Sequence, residues 1–287
     1  MLQEKIAVLV DTGTDVPAHL IKEYGFYTIP LKIIFSDGEF RDGIDLSASE
    51  LYERLPHEIP TTSLPDGQSI LATLAEIKAA GYNKVLAITI SSGLSGTYNL
   101  VRLLAENYTD LDIHVLDTKN ISIGSGFLAI QAAEYIRRGM NWQNLIAAMN
   151  NEINRSKVFF CLETLEYLQK GGRIGLVTAM LGTAFNLKPI ISCNEDGIYY
   201  TMAKVRGRQK SIQKVIDLAE EYSKKGQHYK IALYGSGKSG MAEIAAIREE
   251  VLRRLPNHIQ ILESELGCCL GVHVGPGLVG IGVHLVD

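Results

Sequence analysis

The apolar run Val85-Leu86-Ala87-Ile88-Thr89-Ile90 leads directly into Ser91-Ser92-Gly93-Leu94-Ser95-Gly96-Thr97-Tyr98-Asn99, and that segment into Leu100-Val101-Arg102-Leu103-Leu104-Ala105-Glu106. The first run reads as a strand and the last as an amphipathic helix. A strand, a turn rich in hydroxyls and glycine, and a helix form an anion cradle. Free backbone N–H groups and the positive end of the helix dipole converge at such a turn. Along the remaining chain, apolar runs likewise alternate with helical patterns, which predicts an α/β fold.

The first half opens with a strand over 6–10 that runs into Asp11-Thr12-Gly13-Thr14-Asp15, followed by a helix around 17–24. Short strands are expected over 26–30 and 31–35, then a turn at Ser36-Asp37-Gly38-Glu39. Ser47-Ala48-Ser49-Glu50 matches a capping box and starts a helix. Pro60 to Gly67, bounded by prolines, reads as a loop that leads into a helix over 69–79. After the cradle come a strand over 113–116 and helices near 124–138 and 142–154. The second half starts near Lys157 with a strand over 158–162 and a short helix over 165–174, stopped by Gly171-Gly172. Strands over 188–193 and 198–202 flank the hairpin signal Asn194-Glu195-Asp196-Gly197. A helix near 209–224, a strand near 230–234, a helix near 240–253 and strands near 259–263 and 278–285 follow. A boundary is expected near residue 156, without a proline- or serine-rich linker to mark it.

The 287 residues suffice for one large domain or two small ones. A formal net charge of -4 argues against a nucleic-acid partner. No apolar run reaches the roughly 18 residues of a membrane span. The start, Met1-Leu2-Gln3-Glu4-Lys5, has no signal-peptide layout, so a cytoplasmic protein is expected. Cys161, Cys193, Cys268 and Cys269 form no CxxC pair and have no histidine at ligand spacing. They are expected as buried, reduced thiols, with no metal.

Several motifs are weaker than they look. Gly235-Ser236-Gly237-Lys238-Ser239-Gly240 follows a strand and opens a helix, and it matches G-x-G-x-x-G. Ala232 replaces the first P-loop glycine, however, and no acidic ribose partner ends a following strand at the expected distance. An ordinary strand–helix turn is the preferred reading, with a nucleotide or phosphosugar site as the alternative. Ser95 with His273 could serve a serine hydrolase or an acyl-transfer enzyme. Yet Gly93-Leu94-Ser95-Gly96-Thr97 departs from the nucleophile elbow G-x-S-x-G. His19, His57, His114, His228 and His258 read as surface or cap residues. The pairs Asp11 with Asp15 and Asp42 with Asp45 read as caps and turn formers rather than metal ligands.

Three polar segments adjoin apolar runs: Thr61-Thr62-Ser63-Leu64-Pro65, the cradle, and Gly271-Val272-His273-Val274-Gly275-Pro276-Gly277. Lys204-Val205-Arg206-Gly207-Arg208 adds positive charge. Hydroxyls, N–H groups, an imidazole and a guanidinium suit a carboxylate or a phosphate. With Val10-Asp11-Thr12-Gly13-Thr14-Asp15, Leu165-Glu166-Tyr167-Leu168, Lys170-Gly171-Gly172-Arg173-Ile174 and Lys188-Pro189-Ile190, these segments resemble the DegV family of bacterial lipid-binding proteins. The resemblance runs in order over essentially the whole chain. The opening segment is its loosest part, since the family more often has serine where Gly13 stands.

The resemblance implies a carrier, similar to fatty acid kinase binding subunits, with no catalytic residues of its own. The expected architecture has two domains. Residues 1–156 form a parallel-sheet, Rossmann-like α/β sandwich carrying the cradle. Residues 157–287 form an α/β domain with a mixed, largely antiparallel sheet that contributes an acyl-chain tunnel. One long-chain fatty acid such as palmitate is implied, its carboxylate held by Thr62 and Ser95 beside Gly96, with Arg206 and His273 completing the head-group environment. Arg208, two residues on, competes with Arg206 for that place. No cofactor or metal is implied, and a separate fatty acid kinase is the implied partner. The physics is compatible: burying about 15 methylenes at roughly 0.8 kcal/mol each gives an upper bound near 12 kcal/mol before ordering costs. The stretch Leu176 to Phe185, with small residues Ala179, Gly182 and Ala184, is the candidate tunnel wall, and equally a plain core helix.

Overall fold

The structure is a computed structural model that describes residues 4–180 and 186–286. β1 (Ile6–Asp11) ends in a 3₁₀ turn over Thr12–Thr14 and leads to α1 (Ala18–Tyr24). β2 (Tyr27–Ile29), β3 (Lys32–Phe35), β4 (Gly38–Arg41), α2 (Ala48–Arg54), β5 (Thr61–Ser63) and α3 (Gly67–Ala79) follow. Next come β6 (Lys84–Thr89), α4 (Thr97–Glu106), β7 (Asp112–Asp117), α5 (Ile123–Arg137) and α6 (Trp142–Glu152). The second half runs through β8 (Ser156–Cys161), α7 (Glu166–Lys170), a 3₁₀ helix over Gly175–Met180, β9 (Leu187–Cys193) and β10 (Tyr199–Arg206). It ends with α8 (Arg208–Ser223), β11 (Tyr229–Gly235), α9 (Gly237–Arg254), β12 (His258–Glu265), α10 (Cys268–Val274) and β13 (Val279–Leu285).

A parallel sheet of order β2-β1-β6-β7 lies in the first half. β1 and β6 are buried along nearly their whole length, as parallel strands covered on both faces must be. Ala7, Leu9, Val85 and Ala87 pack with Ile70, Leu74 and Ile77 of α3 and Val101 of α4. Val8, Val10, Leu86 and Ile88 belong to the core on the opposite side, with Phe127 and Leu128 of α5. The second sheet has the order β10-β9-β8-β13-β11-β12 and is antiparallel except for the parallel pair β11–β12. Phe159, Ile231, Leu233 and Ile281 pack with Ile212, Val215 and Ile216 of α8 and Ile244 of α9. Val158, Phe160, Ala232 and Tyr234 join the core that holds α5. Residues Ile123 to Ala133 of α5 are all buried, which explains why that stretch is apolar or small apart from Ser125 and Gln131. The fold class is the one expected: an α/β chain with one parallel and one mixed, largely antiparallel sheet.

Three local features depart from the sequence reading, and two of them build the site. Thr61–Ser63, expected within a loop, is strand β5 in a third, antiparallel sheet of order β4-β3-β5. The prolines at 60 and 65 bound a strand here rather than ruling one out. The turn after β3 is confined to Ser36 and Asp37, and β4 begins at Gly38. The glycine-framed segment before β13 begins inside helix α10, whose buried residues include all seven from Cys268 to Val274. Of the candidate tunnel wall, Val177 and Met180 are buried in the core, whereas Leu176 is 58% exposed. Residues 181–185, with Gly182 and Ala184, lie outside the described residues. Cys161, Cys193, Cys268 and Cys269 are buried free thiols.

The capping box forms as read. Ser47 Oγ accepts from the Glu50 N–H, and Glu50 Oε2 accepts from the Ser47 N–H at 2.8 Å. It starts the helix that seats Leu51 in the core beside α10. Ser47→Ala is expected to lower unfolding stability by about 1 kcal/mol in urea titration, with an unchanged m-value.

Candidate functional site

The cradle is an irregular turn held by its own hydroxyls. The Ser91 N–H donates to the Asn120 carbonyl at 2.8 Å, and the Ser95 N–H to the Ser91 carbonyl at 3.0 Å. Ser91 Oγ accepts from the Gly93 N–H at 3.0 Å. Ser95 Oγ lies 2.8 Å from Thr97 Oγ1 and accepts from the Thr97 N–H at 3.3 Å. Gly96 is the residue before α4 and has no side chain with which to cap it, so only Ser95 Oγ reaches the first N–H of that helix from the cradle. Gly93 has to be glycine, because a Cβ there would fall 2.9 Å from the Asp196 carbonyl. The β9–β10 hairpin turn therefore presses directly on the cradle.

Thr62 reaches the same region from β5, paired in register with Ile33 of β3. His273 arrives on α10, and its Nε2 lies 2.8 Å from Thr62 Oγ1. Arg173 follows the paired glycines after α7. Its Nη1 donates to the Gly171 carbonyl at 2.9 Å and its Nε to the Leu94 carbonyl at 3.3 Å. Together Thr62, Ser63, Leu64, Leu94, Ser95, Arg173, Tyr199 and His273 line a cavity of about 190 Å³ with mixed polar and apolar walls. A narrower cavity of about 40 Å³ adjoins it and is almost wholly apolar, with Ile123, Val158, Phe160, Val274 and Leu278 in its walls. Ile121, Tyr199 and Leu270 line both.

Burial, and secondarily the nearby Arg173 charge, push the His273 imidazole down to about 4. The ring is therefore neutral near pH 7 and leaves Arg173 as the cation in the cavity wall. Gly171 makes room for the ring: a Cβ there would fall 2.2 Å from His273 Nδ1. Hydroxyls, one neutral imidazole and one guanidinium can satisfy a single carboxylate without a nucleophile or a metal. Among the described residues no group of three or more His, Cys, Asp and Glu side chains is arranged to hold a metal ion.

Thr62, Ser95 and His273 thus meet at one cavity, with Gly96 just behind Leu64, to which a Cβ at Gly96 would come within 3.4 Å. Arg206 is not brought there. It ends β10, an edge strand, opposite Leu187, and its side chain is exposed. Arg208 is engaged elsewhere: its Nε donates to Glu243 at 3.0 Å and its Nη2 to the Gly277 carbonyl at 2.5 Å. The guanidinium in the wall is instead Arg173. Its glycine-flanked segment was visible in the sequence, but only the hairpin basic cluster pointed to charge. For the hydrolase alternative, the required nucleophile–base hydrogen bond is not the one formed, since His273 Nε2 engages Thr62 and Ser95 engages Thr97. The Gly235–Gly240 turn is filled by its own chain. A Cβ at Gly240 would fall 2.5 Å from the Leu278 carbonyl, and Ser236 Oγ donates to the Gly275 carbonyl at 2.6 Å.

The neutral His273 has a consequence for acid stability. Its pKa is lower in the folded chain than unfolded, so the stability it contributes is complete above about 6.5 and is lost as pH falls toward about 4. His284, buried and pushed down to about 3, acts in the same direction. His273→Asn is expected to remove one proton from the pH slope of unfolding stability in that window, worth on the order of 3 kcal/mol across it. Urea titrations at stepped pH measure the slope, and a slope equal to wild type contradicts the assignment.

Comparison with known proteins agrees along the whole chain. The DegV family model, described as an uncharacterised protein family, matches residues 5–285. A DegV domain-containing protein from Clostridium perfringens is 38% identical over 284 residues, covering 98% of this chain and 99% of the relative. The solved structure of a fatty-acid-binding DegV family protein from Thermus thermophilus superposes with a TM-score of 0.91 at 27% identity, covering 98% of this chain and all of that one. A stearic acid-binding protein from Eubacterium ventriosum gives 0.86 at 26% identity, with 98% of both chains covered. A family match of this extent, spanning both halves of the fold, means that the chain belongs to the DegV family.

Proposed function

We propose that this protein binds one long-chain fatty acid, of the palmitate or stearate class, and carries it without acting on it. The observation that carries the reading is the junction of the two cavities. A polar chamber bearing Thr62, Ser95, Arg173 and His273 shares Ile121, Tyr199 and Leu270 with an apolar one. That order, charge-pairing groups followed by hydrocarbon walls, matches a molecule with one anion and one alkyl chain. The carboxylate sits with Thr62, Ser95 and the cradle next to Gly96, opposite Arg173, and the acyl chain passes Tyr199 toward Phe160 and Leu278. Burial of the alkyl chain supplies most of the affinity, while the head-group contacts prevent a desolvated charge from going unpaired. The reading is supported by two relatives in structure, which are described as binding fatty acids.

The resemblance extends the proposal to a role in lipid transport or fatty acid metabolism in the cytoplasm, with the bound acid presented to a separate fatty acid kinase. No helix among the described residues is long and apolar enough to cross a membrane. The reading requires no cofactor.

Solvent extraction and mass spectrometry of the purified protein are expected to yield about one fatty acid per chain; repeated preparations without stoichiometric lipid would count decisively against the reading. Thr62→Ala combined with Ser95→Ala is expected to weaken fatty-acid binding at least about tenfold while the fold survives. Arg173→Gln is expected to cost about tenfold as well, and Arg206→Gln less than about twofold, because only the former guanidinium lies in the cavity wall. Equal effects of the two arginine variants would remove Arg173 from the head-group site.

A further inference from the structure

Three aspartates singled out by the sequence as caps and turn formers lie buried behind the head-group cavity and outside its lining. Asp11 ends β1, Asp15 follows the 3₁₀ turn, and Asp42 stands between β4 and α2. Asp11 Oδ2 accepts from the Ile90 N–H at 2.9 Å. Asp15 Oδ2 accepts from Ser122 Oγ at 2.6 Å and its Oδ1 from the Gly267 N–H at 3.0 Å. Asp42 Oδ1 accepts from the Cys268 N–H at 3.1 Å. Gly267 and Cys268 are the residue before α10 and its first residue, and Gly267 has no side chain with which to cap the helix. Two carboxylates from the first half of the chain therefore cap the helix that carries His273.

The fit is tight at that point. A Cβ on Gly267 would fall 2.6 Å from Asp15 Oδ1 and 3.9 Å from Asp42 Oδ1. Asp15 and its partner Ser122 both adopt positive φ, 48° and 52°. Non-glycine residues keep that conformation only where their surroundings hold them there. The Asp15 carbonyl also accepts from the Tyr234 hydroxyl at 2.8 Å, which ties the same residue to β11.

We propose that Asp15 and Asp42 are positioning residues of the head-group site: together they fix α10, and through it the His273 ring against Thr62. The proposal rests on the fatty-acid reading for what the site binds, but not for how α10 is held. The clamp carries a charge problem of its own. Around the three carboxylates stand the thiols of Cys268 and Cys269 on α10 and the phenols of Tyr52, Tyr199 and Tyr234. Glu265 acts on Tyr52, and the Arg173 guanidinium on Cys269. Among the described residues no counter-charge is paired with the aspartates, so burial, and secondarily mutual repulsion, push Asp11 up to about 7 and Asp15 up to about 8, and burial raises Asp42 as well. The folded chain thus retains protons that the unfolded chain has released above about pH 4, and the stability of the cluster falls as pH rises from there through about 8. The head-group site is best ordered while a proton remains in the cluster.

The full-length wild type is compared with Asp15→Ala, Asp42→Ala, Asp15→Asn and Asp42→Asn by hydrogen exchange and by stearate binding, from about pH 6 to about pH 9. Each alanine variant is expected to lose about tenfold or more in exchange protection over residues 268–274 while β8 and β11 keep theirs, with a parallel loss of about tenfold in stearate affinity. Each asparagine variant keeps an acceptor and loses the charge. It is expected to restore protection near pH 7 and to flatten the decline that wild type shows toward about pH 9. Unchanged protection of 268–274 in both alanine variants, or its loss together with that of the central sheet, overturns the proposal. Identical pH profiles in wild type and both asparagine variants overturn the proton coupling. If wild type binds no stearate at any pH, the fatty-acid reading falls, and the exchange data decide the clamp by themselves.

Discussion

The hydrogen bond between Thr62 Oγ1 and His273 Nε2 joins residues 211 positions apart, and the site exists only where it forms. Each partner is placed by separate machinery. Thr62 is fixed by the pairing of β5 with β3, in a small sheet whose apolar side includes Ile33 and Phe35. His273 is fixed by α10, which lays Cys268 and Val272 against that same cluster beside Leu51 and Leu55 of α2. An imidazole kept neutral by burial suits this junction. A protonated ring there would bring a second positive charge next to Arg173 in a partly apolar wall, at a cost the low dielectric magnifies.

A second layer of organisation comes from α5. It is buried against the parallel sheet on one side and the mixed sheet on the other, so the core on its two sides forms one continuous cluster. Ile121 and Ser122, at its entry, line the apolar cavity. The hydrocarbon part of the proposed ligand site is therefore not a groove added to a finished fold. It occupies space left where one helix start, the strands β8, β10, β11 and β13, and α10 fail to meet completely.

Sequence periodicity carried most of the fold, because buried parallel strands and amphipathic helices leave strong local signals. The stretches around Val8, Leu86 and Ile231 were legible for that reason, as was the capping box at Ser47. β5 was not legible. Its three residues are too few to show alternation, and it becomes a strand only through β3, which lies far from it in sequence. α10 was hidden by glycines at 267, 271 and 275, which read as loop but serve close packing, since a Cβ at Gly271 would fall 2.7 Å from Leu51. For the site, hydroxyls and His273 were found because motifs marked them. Arg206 was placed at the head group by the resemblance and by the basic cluster around it, and neither shows which side of an edge strand faces a cavity.

The place of β13 in the mixed sheet has a consequence for the order of events in folding. This strand lies between β8 and β11, pairing Val279 with Cys161 on one side and with Gly235 on the other. During synthesis β8 and β11 emerge first and must wait, with facing edges open, for a strand translated after both. Non-local closure of this kind is slow, and unpaired edges invite wrong partners meanwhile. α10 immediately precedes β13, so His273 reaches Thr62 at nearly the same moment as the last gap in the sheet is filled. A nascent chain arrested before that point would have the cradle but nothing with which to complete it.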